Sequence, residues 1–171
     1  IKKYPVLTYF ALTFALSWGS ILLLVGPGFS LGSTTMPKNL LPFAYLAMVI
    51  RPSVASILLT GLVAGRVGLR QLLSRLVQWR VGGRWYAVAL LTTPILLMAV
   101  LLALSLFSPE FLPAIFSADD KASLLLSSLA VGLMVGFFEE LGWTGFAIPR
   151  LRQQHGILTT GLIVGLLWGA W

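Results

Sequence analysis

Runs of about twenty apolar residues recur along this chain, and they leave it few folds to adopt. A helix needs ~20 apolar residues to cross the ~30 Å hydrocarbon core, where each backbone polar group must be satisfied within its own segment. Composition agrees: the 171 residues are 58% hydrophobic and 10% charged, with a mean hydropathy of +0.94, far more apolar than a soluble domain. The chain reads as all-α, a polytopic transmembrane helical bundle with at least five spans in one domain. The runs fall at residues 7–25, 40–65, 85–107, 122–149 and 157–171.

The net charge of +7 does not point to nucleic acid, because the basic residues sit between apolar runs, where membrane topology accounts for them. Residues 66–84 hold five arginines and no acid. Within them Leu69, Leu72, Leu73, Leu76 and Val77 recur at helical spacing against Arg70, Gln71, Ser74, Arg75 and Gln78. That pattern predicts an amphipathic helix lying in the membrane interface. The N-terminus, residues 66–84 and the turn Arg150–His155 are basic, so the positive-inside rule places them in the cytoplasm. The segments Gly26-Pro27-Gly28 to Lys38 and Glu110 to Lys121 would face outward. This predicts an integral protein of the cytoplasmic (plasma) membrane with a cytoplasmic N-terminus. Two prolines lie inside spans, Pro52 after Arg51 and Pro94; a kink is expected at Arg51-Pro52, and Pro149 is expected to end the fourth span.

The chain has no cysteine, which removes disulfides and thiolate metal sites. No cleavable signal is evident. Both ends read as cut: the chain opens with Ile1 and stops at Trp171, inside an apolar run only fifteen residues old.

One stretch stands apart. Ala122 to Phe138 is seventeen residues without a charge, and it runs directly into Glu139-Glu140. An ionisable side chain at membrane depth costs several kcal/mol and faces a protein interior or a watery cavity. Adjacent helical residues point ~100° apart, so the two carboxylates cannot serve one partner. One would act on substrate while the other anchors the helix. Desolvation favours the protonated form of a carboxylate, a condition that suits a general base working near neutral pH. Structural pairing and a cation-coupled transporter are the competing readings.

The segment Glu139-Glu140-Leu-Gly-Trp-Thr-Gly-Phe-Ala-Ile-Pro-Arg-Leu resembles the first signature of the CPBP family. That family contains the CAAX prenyl endopeptidases and the bacteriocin-processing or Abi proteins. The proline-bearing second span, the arginine-rich Leu69–Arg84 segment and Trp85-Tyr86 resemble the usual lead-in. Leu167-Trp168-Gly169-Ala170-Trp171 is similar to the opening of the second signature, with Trp168 as its aromatic and a histidine expected directly after Trp171. The resemblance implies an intramembrane endopeptidase in which Glu139 activates a water and Glu140 supports it. It implies the lipid bilayer and a peptide or lipidated protein as partners: CAAX-type termini or leader and bacteriocin peptides. It assigns no metal ligand here; a divalent metal such as zinc would need ligands from outside these residues.

One departure bears on activity. The family's arginine falls on Thr144, which offers a hydroxyl and no charge. Arg51 is the expected compensating cation. The alternative reading is a non-catalytic scaffold or immunity-type homologue, with a cation-coupled transporter behind it. His155 reads as a solvated surface residue, and Trp143 and Phe146 as packing residues. Glycines at 132, 136, 161, 165 and 169 form small-xxx-small stripes, which predict close packing of the fourth and fifth spans with Trp168 near the glutamates.

Overall fold

The computed structural model describes residues 3–25 and 39–171; the expected Gly26-Pro27-Gly28 break and Lys38 lie outside the described residues. Helices follow the apolar runs: α1 (Pro5–Val25), α2 (Leu41–Leu76), α3 (Gly83–Ser105), α4 (Ala114–Ser117), α5 (Lys121–Gly142), α6 (Ile148–Leu151) and α7 (Ile157–Ala170). A 3-10 turn, Pro109–Phe111, precedes α4, and a π-helical turn, Trp143–Ala147, joins α5 to α6. The described residues contain no strand. Four helices are long and apolar enough to cross a membrane: α1, α2, α3 and the stretch Lys121–Leu151. The segment expected as a fifth span is the 14-residue α7.

Two local expectations are corrected. Pro52 lies inside α2, and the residue of α2 with non-helical backbone angles is Gly65, with φ of 59° and ψ of −153°. A positive φ is open to glycine because it lacks a Cβ, and Gly65 is the only residue with one among the described residues. The amphipathic helix expected over 66–84 therefore continues α2 across that residue and ends at Leu76, leaving Val77 and Gln78 outside it. Nor does Pro149 end its helix. It lies in the first turn of α6, a position that needs no amide hydrogen bond, and the preceding π turn carries the chain into it.

The structure divides into two units, residues 1–76 with 134–171, and residues 77–133. In the second, Asp120 caps α5: its Oδ1 accepts from the Ser123 amide at 2.9 Å, a normal helix N-cap. The Tyr86 hydroxyl donates to the Trp79 carbonyl ahead of α3. The large side chains of α3 are exposed, and none of its residues is buried.

The first unit has the core. Tyr9 and Phe10 from α1, Ala55 and Leu59 from α2, Trp143, Phe146 and Ala147 from the π turn, and Leu151 from α6 form one buried cluster. Tyr9 stacks on Phe146 with centroids 5.1 Å apart and meets Trp143 edge-on at 5.6 Å. Trp143 in turn meets Trp171 at 5.6 Å. Each such aromatic pair adds about 0.5–1.5 kcal/mol beyond area burial. Within lipid, where burial alone drives little, this packing is what joins the helices.

The glycine stripes do not pack. A Cβ at Gly132, Gly136, Gly161, Gly165 or Gly169 would meet nothing within 4 Å among the described residues. Close approach occurs instead at Gly142, where a Cβ would lie 2.6 Å from the Pro52 Cβ and 2.7 Å from its carbonyl carbon, and against the Tyr9 hydroxyl. At Gly145 it would lie 2.8 Å from Leu72 Cδ1. Spacing alone does not reveal which glycines face a neighbour.

Candidate active site

The two glutamates lie on the last turns of α5, directly before the π turn. Their helix is held to α2 by hydroxyls that enter from the side. Ser53 Oγ donates to the Phe138 carbonyl, and Ser56 Oγ donates to the Leu141 carbonyl at 2.9 Å. A π turn widens the helical ladder and is often found at functional sites. Side-chain donors that hold carbonyls beside it fix the backbone where the ladder changes. Gly142 lets the Pro52 ring come into contact between these two bonds.

The carboxylates diverge, as adjacent positions on a helix must. Glu139 is half-buried and points toward α7, where its Oε2 accepts from Trp168 Nε1 at 3.1 Å. Trp168 thus reaches the glutamate without any help from the glycine stripes. Glu140 is exposed, at a recess of ≈ 150 Å³ lined also by Leu72, Arg75, Phe137, Thr144 and Gly145. Thr144 has turned its hydroxyl inward along its own helix: Oγ1 donates to the Glu140 carbonyl at 2.7 Å. It binds the backbone of Glu140, not the carboxylate.

Arg51 is placed elsewhere. It lines a separate recess with Phe43, Leu46, Ala47 and Ile50, and its Nε is buried without a hydrogen-bond partner among the described residues. The guanidinium at the Glu140 recess belongs to Arg75, whose Nη1 donates to the Gly145 carbonyl at 3.1 Å. Arg75 therefore anchors on the residue directly after Thr144. Sequence reasoning missed it because it sits on the basic face of the amphipathic segment, which reads as lipid-facing. It missed Ser53 and Ser56 as well, since serines in a span give no sign of the carbonyl that they will meet.

Trp143 and Phe146 are 3% and 0% exposed. The motif thus alternates along the helix: Glu139 meets Trp168 of α7, Glu140 lines a recess, the glycines face α2 and the aromatics enter the core. His155 is exposed in the turn after α6. Among the described residues no three His, Cys, Asp or Glu side chains come together to hold a metal ion. A catalytic zinc takes three protein ligands, so one here would need ligands from outside these residues.

Comparison with known proteins points the same way. Residues 121–171 match the family described as type II CAAX prenyl endopeptidase Rce1-like. A CAAX prenyl protease 2 from Methanococcus maripaludis is 31% identical over 65 residues, which is 38% of this chain and 19% of that protein. The match thus spans about a fifth of the relative's length. No solved structure matches the chain. The residues that carry the resemblance, Glu139–Leu151 and Trp168, thus fall inside the stretch that matches this family, in a chain with four helices long and apolar enough to cross a membrane.

Proposed function

We propose that the whole protein is an intramembrane endopeptidase that hydrolyses peptide bonds of membrane-associated substrates, with Glu139 as general base. The observation that carries this reading is the Trp168–Glu139 hydrogen bond. It lies within the segment that matches the family, and it holds one carboxylate oxygen while leaving the other free. Glu139 Oε1 takes a proton from water as the water oxygen bonds to the scissile carbonyl carbon, and the carbonyl electron pair moves to its oxygen. When that tetrahedral species collapses, Glu139 returns the proton to the amide nitrogen and the C–N bond breaks, releasing acid and amine. A site drier than bulk solvent strengthens each electrostatic contact in this sequence.

Glu140 acts from the other side of the helix. Its recess is also lined by Arg75. In this reading Arg75, which lines the Glu140 recess, supplies from α2 the charge that the family places at the position of Thr144, and Arg51, which lines a separate recess, does not. The substrate class suggested by the relative's name is a CAAX-type terminus, whose lipid would lie in the bilayer beside the site. By the positive-inside rule the site would face the cytoplasm, with the N-terminus on the same side.

The test is to incubate full-length protein in lipid nanodiscs with a farnesylated CAAX peptide and with a bacteriocin leader peptide, and to weigh the products. Release of a C-terminal tripeptide from the first identifies CAAX processing. Cleavage of the second alone identifies leader processing. If neither is cut while the protein stays folded, the scaffold reading takes its place, with the uncharged Thr144 as its structural basis.

A further inference from the structure

A second opening lies at the ends of α1, α2 and α6, and the hydrolytic reading does not use it. It is a cleft of ≈ 530 Å³, within the range of ligand-binding sites. Three cations line it, Lys3, Arg75 and Arg150, together with the amides of Gln71, Gln153 and Gln154. Among the described residues that line it there is no Asp or Glu. The two arginines are held in place from behind. Arg75 donates to the Gly145 carbonyl at 3.1 Å, and Arg150 donates to the Phe146 carbonyl at 3.2 Å while its guanidinium lies 3.6 Å from the Phe146 ring centre. These contacts use one N–H of each guanidinium, where each carries five donors. They fix two like charges beside one space, and no carboxylate lining that space neutralises them. One wall is apolar, formed by Val6, Leu7 and Val63.

We infer that this cleft binds the phosphate headgroup of an anionic phospholipid from the cytoplasmic leaflet. Fixed guanidiniums recognise phosphate in a geometry that an ammonium alone does not supply. The amides can donate to the ester and glycerol oxygens. The apolar wall favours a lipid over a free anion, because acyl chains leaving the phosphate would run along Leu7 and Val63. Arg75 also lines the Glu140 recess, so an occupied cleft would hold its guanidinium in place beside that carboxylate.

The test uses full-length protein in neutral detergent and native mass spectrometry, titrated with dioleoylphosphatidylglycerol, dioleoylphosphatidylcholine or inorganic phosphate. Phosphatidylglycerol should bind saturably and at least tenfold more tightly than phosphatidylcholine. Lys3 and Gln154 are exposed, so Lys3→Gln with Gln154→Glu should fold normally and change the cleft charge by two. At roughly fivefold per charge near a membrane surface, phosphatidylglycerol should then bind about 25-fold more weakly. Lys3→Arg should retain binding, and Lys121→Gln, a neutralisation outside the cleft, should leave it unchanged. Equal affinity for the two lipids, or equal losses in the double variant and Lys121→Gln, would overturn the proposal. Displacement of the lipid by millimolar phosphate would replace the lipid with a free anion as occupant. None of these results depends on cleavage, so the failure of either reading is distinguishable from that of the other.

Discussion

Gly142→Ala is the smallest change that should separate the elements on which the site depends. The new Cβ would lie 2.7 Å from the Pro52 carbonyl carbon and 2.6 Å from its Cβ, against the 3.4 Å at which ordinary contact begins. Neither atom can rotate away, since both belong to the backbone or the ring of α2. The helices must part by about 0.7 Å, which is where overpacking costs of roughly 1–3 kcal/mol arise. The same movement stretches the Ser53 and Ser56 bonds to Phe138 and Leu141, each with a net contribution of about 0.5–1.5 kcal/mol. A total loss of about 2–4 kcal/mol is expected, offset by at most about 1 kcal/mol from the better helix propensity of alanine. The control is Gly161→Ala, where the added methyl meets nothing within 4 Å and the propensity gain stands alone. Denaturation of both full-length variants in the same detergent, followed by tryptophan fluorescence, gives the difference directly. Cleavage by Gly142→Ala should also fall by about 100-fold, the scale expected when reacting groups move by ~1 Å. Equal stabilities for Gly142→Ala and Gly161→Ala would refute the reasoning, because the contact with Pro52 would then not limit how closely the helices approach.

Trp168→Phe keeps a ring beside Glu139 and removes the N–H that it accepts from; hydrogen bonds to charged groups contribute ~1.5–3 kcal/mol, so cleavage should drop at least about tenfold at unchanged folded yield. Arg75→Leu should impair cleavage more than Arg51→Leu, since Arg75 shares the Glu140 recess and Arg51 does not; the reverse order would return the supporting role to Arg51. Thr144→Arg in the Arg75→Leu background should recover part of the activity by supplying a charge one helical turn from Glu140. Cysteines introduced at Ser74 and Ser117 should react with an impermeant thiol reagent from opposite faces of the membrane, Ser74 from the cytoplasm; labelling of both from one face would contradict the proposed orientation.

The fold class was legible because long apolar runs admit only one solution in lipid. The runs at residues 7–25 and 85–107 became α1 and α3 with ends shifted by about two residues, within the usual uncertainty of helix boundaries. The corrections arose where local signals compete with packing. Pro52 packs against Gly142, a contact that its sequence position does not announce, and the non-helical residue of α2 is Gly65. The stripes Gly132–Gly136 and Gly161–Gly169 fit a packing motif that the helices do not use. The consequential glycines, 142 and 145, lie inside the glutamate motif itself, where attention went to the charges. Of the site, adjacency fixed the divergence of Glu139 and Glu140, and Trp168 was within reach of the same reading. Arg75 was not, because its partner is a carbonyl seventy residues away in the chain, and nothing in a one-dimensional pattern distinguishes it from Arg70 or Arg80.

The central claim is that Glu139, not Glu140, carries the proton during hydrolysis. Its most direct test is single-turnover cleavage of a farnesylated CAAX peptide, or of a leader peptide if that is the substrate cut, by full-length wild-type protein, Glu139→Gln and Glu140→Gln, each checked for folded yield. The glutamine amide keeps the shape of the side chain and cannot accept the proton, so Glu139→Gln should lose cleavage by about 10²–10⁴-fold, the usual contribution of a general base. Glu140→Gln should retain measurable turnover. Wild-type cleavage by folded Glu139→Gln would contradict the account, whatever the other variants did.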